Sequence, residues 1–183
     1  MDFMEVIKGR RSVRLYRGDP VGDDTLESLL EAVRWAPSWA NSQCWEVIVV
    51  RQDETRRRLA DTLPQKNPGR QGILQAPVTL VFLGIKGKSG FWKGEACTDK
   101  GDWFMYDLGL AMENLCLAAH AVGLGTVIIG YFDAAQVAEI LQVPQDKEVV
   151  AMTPVGFPER LPEPPRRKEI SQFVYHEGYG RQE

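Results

Sequence analysis

Apolar positions along this chain recur with two periods, and each period marks an element. Phe3, Val6 and Ile7 stand at i, i+3 and i+4, which predicts a short N-terminal helix capped by Asp2 and stopped at Gly9. Leu26, Leu29, Leu30 and Val33 predict a second helix, with Asp24 and Glu27 as its cap and N3 partner. It should end near Ala36, because Pro37 disfavours helix at the residue before it. Residues 54–63 predict a short basic helix, and 64–72 a loop. The longest periodic run spans 102–122, with Phe104, Leu108, Ala111, Met112, Leu115, Ala119 and Val122 on one face. Leu110, Leu117 and Ala118 make its other faces apolar too, the mark of a helix buried on several sides. Gly123 stands where a C′ glycine belongs. Asp133 and Gln136 open a last helix through Val137, Ile140 and Leu141.

Strands are predicted at 45–50, 78–83, 126–130 and 148–155, from runs rich in β-branched and aromatic residues. Pro77 opens the second, and Pro154 in the fourth predicts an edge or a bulge at its far end. Between strands, 84–101 is a Gly- and Lys-rich loop around Phe91-Trp92, of a length that is usually functional or mobile. From Phe157 onward Pro158, Pro162, Pro164 and Pro165 predict an extended, polyproline-like segment. It leads through Arg166-Arg167-Lys168 into a short β-like run, Ile170 to Tyr175. Strands alternating with helices favour a mixed α/β or α+β sheet layered with helices.

Composition narrows the function classes. With 183 residues the chain suits one domain, and 44 % hydrophobic with 26 % charged residues is an ordinary globular profile. A net charge of −3 gives no hint of nucleic acid. No apolar run reaches the roughly 18 residues of a membrane span, and the start has no signal-peptide apolar region. Three cysteines without CxxC spacing and two distant histidines indicate neither disulfides nor zinc. The expectation is a cytoplasmic, metal-free protein. Phosphate-loop, dinucleotide-fingerprint, nucleophile-elbow and zincin motifs are all missing from the sequence. His120 and Cys116 fall on the long helix and read as structural. The aromatics at 91–92 and 103–104 suit a platform for a flat ring and burial in the core equally well.

The chemistry-bearing stretch is Arg10-Arg11-Ser12-Val13-Arg14. In an extended chain Arg10, Ser12 and Arg14 share one face, with Arg11 and Val13 on the other. Two guanidinium forks around a hydroxyl suit a phosphate monoester. Alone, the run suits a solvated basic turn just as readily.

Further segments give it context. Arg10-Arg11-Ser12-Val13-Arg14 is followed by Pro37-Ser38-Trp39-Ala40-Asn41-Ser42-Gln43-Cys44-Trp45. Asp107 to Ala111, Asn114-Leu115, Gly123 to Thr126, Gly156-Phe157-Pro158 and the basic cluster at 166–168 complete the series. In this order the chain resembles the FMN-dependent nitroreductase family. The resemblance implies an α+β, three-layer fold: a central, mainly antiparallel sheet flanked by helices. It further implies one FMN-binding domain over 1–183, with 157–183 an extended arm exchanged in a homodimer. Arg10, Arg11, Ser12 and Arg14 would hold FMN, with Arg167 and Arg166 reaching its phosphate from the tail. Pro37, Ser38 and Asn41 would approach the flavin from the other subunit, and the backbone of Ile129 and Gly130 would face its N5 edge. The implied activity carries hydride from NAD(P)H through flavin N5 to a small aromatic or conjugated acceptor, such as a nitroaromatic or quinone. No catalytic side chain is named. Enone reduction, dehalogenation, flavin modification and non-catalytic flavin binding stay open. Cys44 replaces the family's usual proline and Trp39 its usual small residue, so the substrate does not carry over.

Overall fold

The computed structural model describes residues 2–181. Its centre is an antiparallel sheet of β1 (Trp45–Val50), β2 (Val78–Ile85), β6 (Lys147–Gly156) and β5 (Gly125–Thr126), in the spatial order β1-β2-β6-β5. β2 is buried on both faces, and the pleat divides its side chains between two cores. Val78, Leu80 and Phe82 join one core; Val81 and Leu83 join the other. The first lies under α2 (Asp23–Arg34) and α5 (Phe104–Ala121), where Leu29, Val33, Leu108 and Leu115 are fully enclosed. The second lies under α3 (Asp53–Asp61), α4 (Gly69–Gln75) and α6 (Ala134–Leu141), around Leu59, Ile73, Val137 and Met152. Helices on both faces of one sheet make the expected three-layer α+β architecture.

α1 (Phe3–Gly9) forms as predicted, with a reciprocal capping box between Asp2 and Glu5. α5 buries Phe104, Asp107, Leu108, Ala111, Met112, Leu115, Cys116 and Ala119, so its apolar faces do serve a central helix. Asn114 ties it to α2 by donating to the Ala32 carbonyl at 3.1 Å.

Several predicted boundaries move. α2 starts at Asp23 with Gly22 as N-cap and no side-chain cap, so Asp24 and Glu27 do not form the expected pair. Asp23 and Asp24 instead occupy the first turn, where negative charge suits the helix dipole. Residues 69–72, the end of the predicted loop, instead open the helix α4. Glycine lowers helix propensity there, but a Cβ at Gly69 would come within 2.8 Å of Ile129, so packing requires the small residue. The predicted strand 126–130 is paired only at Gly125–Thr126 and again at Ile129, opposite Met152. The shared register puts Val127 opposite Pro154 at a hydrogen-bonded position, where proline has no N–H to give. β6 itself is paired on both sides, so Pro154 does not mark a sheet edge; the one-residue shift falls at Phe82/Leu83. Ile170–Gln172 form a 3-10 turn closed by Glu169 and Gln172, not a strand.

The long Gly/Lys loop contains a hairpin of β3 (Phe91–Trp92) and β4 (Glu95–Ala96). Its two-residue turn, Lys93-Gly94, has positive φ at both positions, as twisted hairpins favour.

Candidate active site

The basic stretch is seated by Val13, not by its arginines. Val13 is buried, and its N–H donates to the Thr126 carbonyl at 2.8 Å. A Cβ at Gly125 would lie 2.7 Å from Val13, so this glycine lets the segment rest against the sheet edge. With Val13 turned inward, Arg10, Arg11, Ser12 and Arg14 line one cleft of about 440 Å³. Arg11 therefore does not share a face with Val13. A single bridge holds the segment, so strand alternation is not imposed. Arg11 folds back to donate to the Lys8 and Arg10 carbonyls at 2.6 and 2.8 Å, capping the C-terminus of α1.

The tail closes this cleft. Arg17 N–H donates to the Phe157 carbonyl at 2.9 Å, Tyr16 bridges Pro158, and Glu159 N–H donates to the Leu15 carbonyl at 3.0 Å. These bonds bring Pro162, Glu163, Pro165 and Arg167 over the cradle. Arg166 lines neither this cleft nor the adjoining one of about 350 Å³.

Arg10 holds the clearest sign of an anion site. Its Nε lies 3.5 Å from Glu113 Oε1, near enough for an ion pair. The orientation gives no hydrogen bond, however, and the buried Nε–H has no partner among the described residues. An unmatched buried donor is costly, and an incoming anion would satisfy it. Behind the cradle His120 packs on Gly9. Burial, then Arg11 and Arg10, hold its imidazole below the ordinary value of 6.5, so it adds no positive charge near neutrality.

Arg14 also borders a second cleft of about 160 Å³, with Asn67, Gly69, Ile129, Gly130 and Tyr131. Ile129 and Gly130 thus lie beside the cradle. Asn67 is a lining residue that the sequence reading did not find; it donates to the Tyr131 carbonyl at 3.0 Å and accepts from Gly69 N–H at 2.9 Å.

Pro37, Ser38 and Asn41 line none of these clefts. Their loop meets α5 at its first turn, through Asp107, whereas Arg10 and Gly9 meet it further along, at Glu113 and His120. Asp107 is 1 % exposed. Trp39 N–H at 3.1 Å, Ser42 Oγ at 3.4 Å, Cys44 Sγ at 3.4 Å and Ser89 Oγ at 2.6 Å all donate to it. The turn it holds is strained: Ala40, Asn41 and Gln43 have φ of 44°, 55° and 45°. Each such residue costs on the order of 1–3 kcal/mol, which the carboxylate bonds offset. Burial and the bond to Asp107 push the Cys44 thiol up to about 11, and burial raises Cys116, so neither is poised as a nucleophile.

The aromatics divide. Phe104 is core, while Trp39 and Trp103 pack with tilted rings 5.2 Å apart and Tyr106 meets Trp103 edge-on at 5.6 Å. Trp92 is largely exposed on the hairpin.

Comparison with known proteins decides the family. The sequence profile described as "Nitroreductase family" matches residues 7–157. This chain belongs to the nitroreductase family. An FMN reductase of Bacillus subtilis, named for NAD(P)H, is 30% identical over 84% of this chain and 66% of its own length. A 5,6-dimethylbenzimidazole synthase of Rhodobacter capsulatus is 30% identical over 85% of this chain and 83% of its own. Among solved structures, a nitroreductase family protein of Clostridium difficile 630 superposes with a TM-score of 0.83 at 27% identity, covering 97% of this chain and 99% of that one. The nitroreductase match takes in the cradle, the Pro37–Cys44 loop and α5, and stops at Phe157. Arg167 lies beyond the residues matched, and the fold itself places it over the cradle.

Proposed function

We propose that this nitroreductase-family chain is an NAD(P)H-dependent FMN oxidoreductase that works as a homodimer with a small aromatic or conjugated acceptor. The carrying observation is the cleft in which Arg10, Arg11, Ser12, Arg14 and Arg167 converge while the buried Arg10 Nε–H lacks a partner. A phosphate monoester has about −1.5 to −2 charges and three acceptor oxygens, which this donor set fits. The residues present therefore suit FMN. Arg10, Arg14 and Arg167 would bind its phosphate, and Ser12 would add a hydroxyl. Arg11 would contribute charge, since one of its nitrogens already caps α1. Ile129 and Gly130, one cleft further along past Arg14, would border the ring. Pro37, Ser38 and Asn41 would complete the pocket of the other subunit, because on their own chain they lie apart from the cradle. The chemistry that FMN supplies when bound is acceptance of hydride from NAD(P)H at N5 and its passage to the acceptor. The protein positions the ring, neutralises the phosphate and excludes water.

Similarity alone does not fix the reaction, since two relatives at 30% identity are named for different activities. The aromatic cluster of Trp39, Trp103 and Tyr106 supports a flat acceptor. The test is anaerobic addition of NADH or NADPH to purified protein reconstituted with FMN. The flavin band should bleach, and a nitroaromatic or quinone should restore it with the FMN chemically intact. A band that fails to return because FMN has been consumed would favour a flavin-modifying enzyme. A band that neither nicotinamide bleaches would contradict the proposal.

A further inference from the structure

Asn41 is exposed, sits at positive φ, and has its amide oxygen engaged by Gln43 within the same turn at 3.3 Å. Such a residue cannot fix its own position, so something outside the turn must. The bonds of Asp107 reach that turn from 63 to 68 positions away in sequence, at Cys44, Ser42 and Trp39. Through Ser89 the same carboxylate also grips the segment leading to the hairpin, and the Ser89 carbonyl accepts from Trp103 N–H at 3.1 Å. Trp103 in turn packs against Trp39 with its ring tilted by 44°. Two loop segments, 37–44 and 86–103, are thereby joined at one buried charge on α5. Side-chain networks on such a support can hold a binding group in place without touching the ligand.

We infer that Asp107 is a positioning residue: it locks the Trp39–Gln43 turn to the 86–103 segment and so sets where Asn41 meets the flavin. This rests on the proposed FMN site, and it assigns the buried carboxylate a role that burial alone does not require. Because Asp107 acts through the turn, its loss should be indifferent to the phosphate and inseparable from the loss of Asn41.

A double-mutant cycle on flavin affinity tests this, with full-length Asp107→Asn, Asn41→Ala and the combined variant titrated against FMN and riboflavin. Asp107→Asn should weaken both flavins by a similar factor, roughly 10-fold for one disrupted charge-assisted network. The combined variant should be no worse than the weaker single one. Wild-type affinity in Asp107→Asn, or losses that multiply in the combined variant, would overturn the inference. If Asp107→Asn does not fold, Ser89→Ala takes its place in the cycle, since it leaves the carboxylate and its Trp39 bond intact. Its loss should be smaller, about 3-fold, and judged by the same non-additivity. A wild-type protein that binds neither flavin would sink the proposed function instead, and is distinguishable from both results.

Discussion

Replacing Arg10 and Arg14 together by alanine should lower FMN affinity by roughly 10²- to 10⁴-fold, while riboflavin affinity changes little. Hydrogen bonds to charged groups contribute about 1.5–3 kcal/mol each, and 1.4 kcal/mol is a tenfold change in affinity. Arg10 should provide the larger share. Its side chain is 23% exposed, and its Nε–H is buried without a partner, so a bound phosphate is shielded from water there. Arg14 is exposed and one of its nitrogens already donates to the Ser12 carbonyl at 3.2 Å, which places it nearer the lower figure. Glu113, left without Arg10, is 46% exposed and stays solvated, so the fold should survive. Riboflavin, which lacks the phosphate, separates the cradle from the ring pocket. Equal losses for both flavins would show that these arginines serve the ring or the fold. Lys93→Ala, at the hairpin turn, should alter neither affinity.

The second large effect is on stability. Arg56 is buried and donates to the carbonyls of Ile73, Leu74 and Ala76 at the end of α4. The Ile73 carbonyl would meet the N–H of residue 77 if the helix continued, but that residue is proline and has none. Arg56 thus caps a helix end that the chain cannot cap itself. Arg56→Met keeps the apolar stem and removes the donors, leaving buried carbonyls unpaired at a cost of about 3 kcal/mol. For a chain of this size that corresponds to a fall in Tm of roughly 6–12 °C. A melting curve shifted by less than about 2 °C would mean that water or a rearranged backbone satisfies those carbonyls.

Arg56 also shows why parts of this molecule were hidden in the sequence. Read locally, it belongs to a basic run on a short helix, and nothing nearby announces a partner 17 to 20 positions away. The first turn of α4, 69–72, reads as loop because two glycines mask a helix whose stability comes from packing. The break after Thr126 needed the register against Pro154, which no single segment contains. Asp107 was visible only as a letter in a motif; its four donors come from two distant loops. What could be read directly was periodic or contiguous. The face of α5, the β-rich run of β2 and the capping of α1 and α6 depend on neighbours within a few residues. The cradle was legible for the same reason, since four of its members lie within five positions. Arg167 was anticipated from a resemblance, and the bonds of residues 15–17 to 157–159 supply the physical means that carries it there.

The central claim is that each flavin is held by the cradle of one chain and the Asn41 loop of another, and subunit exchange tests it most directly. An Arg10→Ala/Arg14→Ala chain and an Asn41→Ala chain should each bind FMN weakly as pure dimers. Mixed, they should form heterodimers in which one site collects all the damage and the other is wholly native. Titration with FMN should then recover one tight site per heterodimer, which neither parent possesses. Exchange confirmed by native mass spectrometry with no tight site recovered would place cradle and loop in the same pocket of one chain, and would contradict the shared site.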